Sequence, residues 1–264
     1  MKIIVCIKQV PDTTEVMLNP VTGTLIREGI PSIINPDDKA GIEAALRIKD
    51  EDPDTTVTVL SMGPPQADVA LREALAMGAD SAILLTDRLF GGSDTWATSS
   101  IIAAAIKKMD YDLIITGRQA IDGDTAQVGP QIAEHLGIPQ VSYVSGLKVD
   151  GNILTLKREF EDGYHMIEVK TPCLITTLAE MNEPRYMTVG RVFDAYRGQA
   201  VTQWSYRDIA DTVDPVNMGL KGSPTKVKKS FTKPVKGHGE VYEVAADEAV
   251  DIIMRKLREK NILR

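Results

Sequence analysis

The chain predicts an α/β protein, with a doubly wound and mainly parallel β-sheet, antiparallel additions and a C-terminal arm. Three observations carry that prediction. Through the first 140 residues short, mainly apolar runs alternate with helical patterns, as strands covered on both faces and separated by helices do. After residue 145, β-like runs are separated by Asp150-Gly151 and Asp162-Gly163, the turn chemistry of hairpins. From about 205 the core pattern fades, and the chain closes on an amphipathic stretch.

IIVCIKQV (3–10) is the first strand. A hairpin is expected over 15–29, with turns at Asn19-Pro20 and Thr22-Gly23. Asn35-Pro36 opens a helix, Asn as cap and Pro at the first position, with Ile42, Ala45, Leu46 and Ile48 on its buried side. TVTVLSM (56–62) is a strand, followed by a helix to about Met77 that Gly78 ends. SAILLT (81–86), a helix over 95–109 and DLIITG (112–117) repeat the unit, and a helix over about 125–136 closes at Gly137. Gly146–Lys170 gives the antiparallel additions, and PCLITTL (172–178) a further buried strand. The expected domains are 1–204, a nucleotide-binding α/β domain, and 205–264, an extended arm. Its helix (247–262) sets Val250, Ile253, Met254 and Leu257 on one side, a face for a partner; the alternative is a linker whose helix docks on its own domain.

Of 264 residues, 43% are hydrophobic and 25% charged, enough to build a core without metal or disulfide. A net charge of −7 argues against general nucleic-acid binding. Cys6 and Cys173 sit in apolar runs and read as buried strand residues; no His or Cys cluster suggests a metal. No run reaches the ~20 apolar residues of a membrane span, so cytoplasmic is the default expectation.

The segment TGRQAIDGDTAQVGPQIAEHLG (116–137) carries the strongest local signal. It runs from a strand end through a loop to a helix start, where free N–H groups and the helix dipole suit a diphosphate. Gly117, Gly123 and Gly129 permit close backbone approach, Thr125 and Gln127 offer donors, and Arg118 offers charge. Asp122 and Asp124 suit phosphate poorly; Asp124 reads as the helix cap. The same turn also serves as plain architecture.

VCIKQVPD, INPDDKAGIEAAL, SMGPPQA, ALAMGAD, GRQAIDGDTAQVGP and MNEPRY, in this order over residues 2–190, resemble the successive motifs of electron-transferring flavoprotein beta subunits. The resemblance implies a fold related to the adenine nucleotide alpha hydrolases, a heterodimer with a larger alpha subunit, and an adenine nucleotide held by this chain. It puts the nucleotide contacts at Cys6, at Asn35, Asp37 and Asp38, at Met62 and Gly63, and along Thr116, Gly117, Arg118, Gln119, Asp122, Gly123, Asp124, Thr125, Ala126, Gln127 and Val128.

Respiratory members of that family hold structural AMP, whereas the electron-bifurcating branch holds FAD and oxidises NADH. LLTDRLFGGSDTWATSS (84–100) and the pair Gly123 and Thr125 are similar to the second branch. NADH contacts are expected at Phe90, Gly91, Gly92, Asp94 and Thr95; the alternative makes this segment a loop with Asp94 as helix cap. The bifurcating resemblance implies electron delivery to ferredoxin or flavodoxin and, through a flavin on the alpha subunit, to an acyl-CoA dehydrogenase. MNEPRYMTVGRVFDAYR (181–197) resembles the family's dehydrogenase-docking region, with Arg185, Tyr186, Met187 and Val189 as contacts, although GRVFDAYRGQ replaces the family's frequent lysine run. Lys226, Lys228, Lys229 and Lys233 form a basic stretch that reads either as a partner contact or as a solvated arm. No catalytic acid or base is expected, because in flavin chemistry the protein supplies orientation and electrostatics. The alternatives are a respiratory-type beta subunit with AMP, a stand-alone ATP-binding module and a nucleotide sensor of the universal-stress type.

Overall fold

The computed structural model describes residues 1–12, 31–228, 237 and 239–263. The expected hairpin at 15–29, and Lys229 and Lys233 of the basic stretch, lie outside the described residues. The chain divides into two units, the first reaching Lys228 and the second containing residues 239–263.

In chain order the first unit contains β1 (Lys2–Cys6), β2 (Gln9–Pro11), β3 (Ser32–Ile34), α1 (Pro36–Glu51), β4 (Thr56–Met62), α2 (Asp68–Met77), β5 (Ser81–Leu85), α3 (Thr95–Ile106), β6 (Leu113–Gly117) and α4 (Val128–Leu136). It continues with β7 (Gln140–Asp150), β8 (Ile153–Phe160), β9 (Gly163–Lys170), β10 (Cys173–Thr177), α5 (Val189–Tyr196), β11 (Val201–Trp204), α6 (Tyr206–Ile209) and α7 (Gly219–Gly222). The main sheet runs β11-β5-β4-β1-β6-β10-β7-β8-β9. Its pairs are parallel from β11 to β7 and antiparallel from β7 to β9. The doubly wound, mainly parallel sheet with antiparallel additions is therefore present.

Alternating strand residues divide the core into two. Ile3, Val5, Val57, Val59, Ile115 and Ile175 face α1 and α2, and Ile4, Cys6, Leu60, Ile114 and Leu174 face α3 and α4. Both faces are covered, which is why these runs are predominantly apolar instead of alternating with polar residues. Gly41 lets α1 lie directly on the sheet, since a Cβ there would stand 2.9 Å from both Ile115 Cγ2 and Thr177 Oγ1. Gly78 and Gly137 end α2 and α4 at positive φ, the conformation expected of those glycines.

Several features differ from the sequence reading, among them α5, a helix over Val189–Tyr196 that was not foreseen. The first apolar run is broken: β1 ends at Cys6, and Gln9–Pro11 pairs with Ser32–Ile34 as a separate two-stranded sheet. Val201–Trp204, not foreseen as a strand, forms the edge of the main sheet. Residues 205–228, expected as part of the arm, belong to the first unit instead. Ile209, Val213 and Met218 are buried in the core on the α3 side. Apolar residues this sparsely spaced show no helical or strand period, so their burial was illegible before folding.

The second unit contains α8 (Ala246–Glu259), with no buried residue and with Val250 and Ile253 exposed. Among the described residues no helix is long and apolar enough to cross a membrane, and no group of residues suits a metal ion.

Candidate functional site

The chain leaves β1 toward β4 and β5, then crosses back to place β6 on the other side of β1. Loops diverge from the carboxyl ends of β1 and β6, which is where open α/β sheets bind ligands. The walls are the residues after β1, the first turn of α1, the end of β4 and the loop 118–127.

The first turn of α1 is occupied by the chain itself. Asn35 is fully buried and stands at the N-cap position, yet its side chain makes no cap bond. Instead its Nδ2 donates to the Gln119 carbonyl at 2.8 Å and its Oδ1 accepts from the Ile121 N–H at 3.1 Å. Asn35 is thus a corrected expectation: its partners are in the far loop rather than in its own helix. Asp38 accepts from the N–H groups of Lys8 at 2.7 Å and Gly117 at 2.9 Å, joining β1 to β6. Asp37 accepts from the N–H groups of Gln119 at 3.3 Å and Ala179 at 2.9 Å, which brings in the residues after β10. Arg118 Nε stands 3.4 Å from the Asp37 carboxylate.

Burial pushes the Asp38 carboxyl up to about 7 despite its hydrogen bonds. Burial likewise raises Asp37, against the pull of Arg118. The Cys6 thiol is raised by burial and then by Asp38, which keeps it protonated and disfavours it as a nucleophile.

Gly117 is compelled by this packing. A Cβ there would fall 2.2 Å from Asp38 Oδ1 and 2.8 Å from Asp37 Cβ. Gly129 is held in the same way, with Thr116 Oγ1 2.5 Å from where its Cβ would be. These two glycines, expected to admit a ligand, admit the protein's own chain. Gly123 alone of the three keeps open space, with only Lys8 Nζ at 4.0 Å.

The loop then reaches α4, which begins at Val128 rather than at Thr125. Asp124 and Ala126 have φ of 54° and 53°, a region that non-glycine side chains rarely adopt. The left-handed backbone keeps 124–126 out of the helix, so Asp124 is not the cap; its carboxylate accepts from Gln119 Nε2. Gln127 takes the cap position and makes no side-chain cap bond. Lys8 Nζ binds Asp122 Oδ1 at 2.6 Å. Both loop carboxylates therefore have partners inside the protein, which lessens their repulsion of an anion. Gly123, Thr125 and Gln127 are exposed. Lys8, which the sequence reading missed, was signalled only by its place just after a strand that ends at the crevice.

Met62 and Gly63 line a cavity of about 150 Å³ with Lys8, Gln9, Val10 and Ser32. Such a volume is smaller than a whole nucleotide requires. A larger cavity of about 380 Å³, lined by Lys2, Thr56, Ser81 and Thr202 among others, lies by the amino ends of β1, β4 and β5. Topology favours the crevice over the larger volume.

The segment 90–95 is brought only partly to this site. Thr95 Oγ1 lies 3.0 Å from Gln127 Oε1, so the starts of α3 and α4 adjoin. Phe90, expected to face a dinucleotide, is a core residue only 4% exposed. Asp94 caps α3 by accepting from the Ala97 N–H at 3.0 Å, and it also accepts from Thr225 N–H and Oγ1 at 2.9 and 2.7 Å. Gly91 and Gly92 are exposed, with Leu220 on one side: the Leu220 N–H donates to the Gly91 carbonyl at 3.2 Å. The alternative reading of this segment as loop and cap describes Phe90 and Asp94.

Away from the crevice, Tyr186, Met187 and Val189 are exposed, joined by Phe193 and Tyr196 on α5. Arg185, expected among them, is turned inward onto Glu43 and Asp50.

The comparisons with known proteins agree with this architecture. The family model described as "Electron transfer flavoprotein domain" matches residues 22–207. The chain is 60% identical over 263 residues to the electron transfer flavoprotein subunit beta of Clostridium acetobutylicum. It is 55% identical over 265 residues to the caffeyl-CoA reductase-Etf complex subunit CarD of Acetobacterium woodii. It is 50% identical over 270 residues to the acryloyl-CoA reductase electron transfer subunit gamma of Anaerotignum propionicum. Each alignment covers 100% of this chain and 100% of the relative.

Proposed function

The chain belongs to the electron transfer flavoprotein family as a beta subunit, and we propose that, with an alpha subunit, it holds FAD in the crevice between β1 and β6. In this reading the heterodimer oxidises NADH and divides the electrons between ferredoxin or flavodoxin and, through the alpha subunit's own FAD, an acyl-CoA dehydrogenase. When bound, the flavin supplies the hydride acceptor and the electron relay; the protein supplies binding and orientation.

The observation that carries the reading is the start of α4. It has no side-chain cap, and the loop before it is exposed and held in a left-handed conformation. Uncapped N–H groups and the helix dipole attract a diphosphate there, with Thr125 and Gln127 as further donors. Arg118 brings a positive charge to the same loop, although its buried Nε already stands 3.4 Å from the Asp37 carboxylate. Asn35, Asp37 and Asp38 hold the loop rigid, and the Met62–Gly63 cavity takes the part of the ligand away from the phosphates. NADH approaches over Gly91, Gly92 and Thr95, without Phe90. Relatives named for acyl-CoA reductase complexes, similar over their whole length, favour this branch over a subunit holding AMP.

Two partner surfaces belong to the proposal. The exposed apolar side of α8 engages the alpha subunit, and Tyr186, Met187 and Val189 meet the dehydrogenase. The test is to purify the heterodimer, release its nucleotides with acid, and count FAD and AMP. Two FAD and no AMP are expected, followed by bleaching of the flavin by NADH. One FAD with one AMP overturns the bifurcating reading and leaves a carrier that relays electrons from dehydrogenases.

A further inference from the structure

Arg185 immediately precedes the exposed residues Tyr186, Met187 and Val189, and it is held more firmly than its surface position requires. Its guanidinium Nε donates to Glu43 Oε2 at 2.8 Å and its Nη2 to Glu43 Oε1 at 3.1 Å, a bidentate fork. Its backbone N–H donates to the same Glu43 Oε2 at 3.1 Å, so main chain and side chain converge on one carboxylate. Asp50, two turns further along α1, accepts from Nη2 at 2.6 Å and from Nη1 at 3.3 Å. Glu43 is only 4% exposed, and Arg47 Nε donates to it from the next turn at 3.0 Å. Burial raises the Glu43 carboxyl, yet the hydrogen bonds from Arg185 and Arg47 outweigh it and hold the group below the usual carboxylate range. One more tie lies three residues upstream, where Asn182 Nδ2 donates to the Ala40 carbonyl at 3.3 Å.

All these anchors are on α1, whose first turn carries Asn35, Asp37 and Asp38 and forms a wall of the crevice. At 1.5 Å per residue, Glu43 stands about 12 Å along the helix from Asn35, and Asp50 about 22 Å. One rigid helix thus bears the nucleotide wall at its start and the root of the exposed apolar segment further along. A buried ion pair is poor evidence of stabilisation, because burying the charges costs much of what their attraction returns. Its geometric specificity is the better-founded function, and a fork closed by a backbone N–H fixes the chain direction at Arg185.

We infer that Glu43 is a positioning residue for partner docking: with Asp50 it clamps Arg185, and so sets Tyr186, Met187 and Val189 at a fixed place on α1 relative to the crevice. This inference rests on the reading that those three residues meet the acyl-CoA dehydrogenase. Loss of the clamp frees the segment, so docking must then order it each time, and affinity falls without any contact residue being changed.

The test compares heterodimers carrying Glu43→Gln, Arg185→Gln and both, with Met187→Ala/Val189→Ala as the docking control. In each, the apparent KM of the dehydrogenase reaction for the heterodimer, its kcat, the flavin content and the hydrogen exchange of residues 185–189 are measured. Each clamp variant is expected to raise KM about tenfold, the scale of one lost charge-assisted hydrogen bond, with kcat and flavin content within about twofold. Exchange at 185–189 rises, and the double variant is no worse than the poorer single, because the two residues act as one unit. A KM within about twofold of wild type in folded clamp variants, while Met187→Ala/Val189→Ala raises it, overturns the positioning role. An unchanged KM in the docking control as well shows instead that the docking reading has failed. Asp50→Asn, at a solvent-facing position, covers the case in which Glu43→Gln does not fold: a KM rise of about two- to threefold is expected, and a wild-type KM there overturns the proposal.

Discussion

Two helices begin at neighbouring strand ends, and they use the same physical resource in opposite ways. At the start of α1, Asp37 and Asp38 are buried and accept from four backbone N–H groups contributed by Lys8, Gly117, Gln119 and Ala179. Neither helix has a side-chain cap bond, but α4 has no carboxylate in its first turn, and the residues before it are largely exposed. The first terminus carries two buried carboxyl groups that tie the surrounding segments together. The second has no such group of its own, which is what the proposed phosphate site requires. A helix start is therefore not a binding site by virtue of its dipole alone; what matters is whether the sequence has already provided its counter-charge.

The largest test of that contrast is a pair of alanine substitutions. Gly117→Ala drives a Cβ to 2.2 Å from Asp38 Oδ1 at the filled terminus. It is expected to cost about 3–5 kcal/mol in urea unfolding, or to prevent folding. Gly123→Ala, in open space before α4, is expected to leave stability within about 0.5 kcal/mol and to weaken nucleotide retention. Equal effects on stability at both sites refute the division of roles.

Asn35→Ala comes next. It removes two hydrogen bonds to the 119–121 loop and leaves a buried carbonyl and N–H without partners, an expected loss of about 2–4 kcal/mol by thermal or urea unfolding. A loss under about 1 kcal/mol means that the loop is held by something else.

Gln127→Asp acts on the open terminus. A capping carboxylate there stabilises α4 by about 0.5–1 kcal/mol while competing with the bound anion. Calorimetry should find nucleotide affinity at least about tenfold weaker in a protein that is slightly more stable. Unchanged affinity places the phosphates elsewhere.

The smallest effect is the pH dependence of the filled terminus. Because the folded-state value of Asp38 is raised to about 7, the folded protein holds this proton across a window in which the unfolded chain has lost it. Stability from Asp38 is accordingly greatest in acid and declines as pH rises from about 4 to about 7, then stays level. Glu43 acts with the opposite sign, since its value is lowered: its contribution is present above its unfolded value and is lost on acidification through its folded value. Urea midpoints between pH 5 and 8 should fall with rising pH in the parent and flatten in Asp38→Asn. A parent profile that is already flat removes Asp38 as a titrating group.

Much of the frame was legible before folding, and the legible parts share one property: their signals are local. Apolar runs gave the order of β4, β5, β6 and β10, and the endings at Gly78 and Gly137 came from the backbone preference of glycine itself. Asp94 was weighed as a cap three residues from its N–H partner, and it is one. The crevice followed from strand-to-helix turns at the end of a parallel strand.

Identities of distant partners were not legible. Asn35 has the sequence of a cap, yet its side chain joins a loop 84 to 86 residues away. Arg185 looked like a docking residue, and its partner is 142 residues upstream. Residues 205–228 lacked periodicity and still contributed Ile209, Val213 and Met218 to the core. By itself the sequence determined most of the strands and helices through residue 140 and where they turn, because propensity, period and capping act over a few residues. Only the tertiary structure decided which buried polar group satisfies which, because that choice depends on where two far segments cross, and there a wrong pairing would strand a charge or an N–H without water.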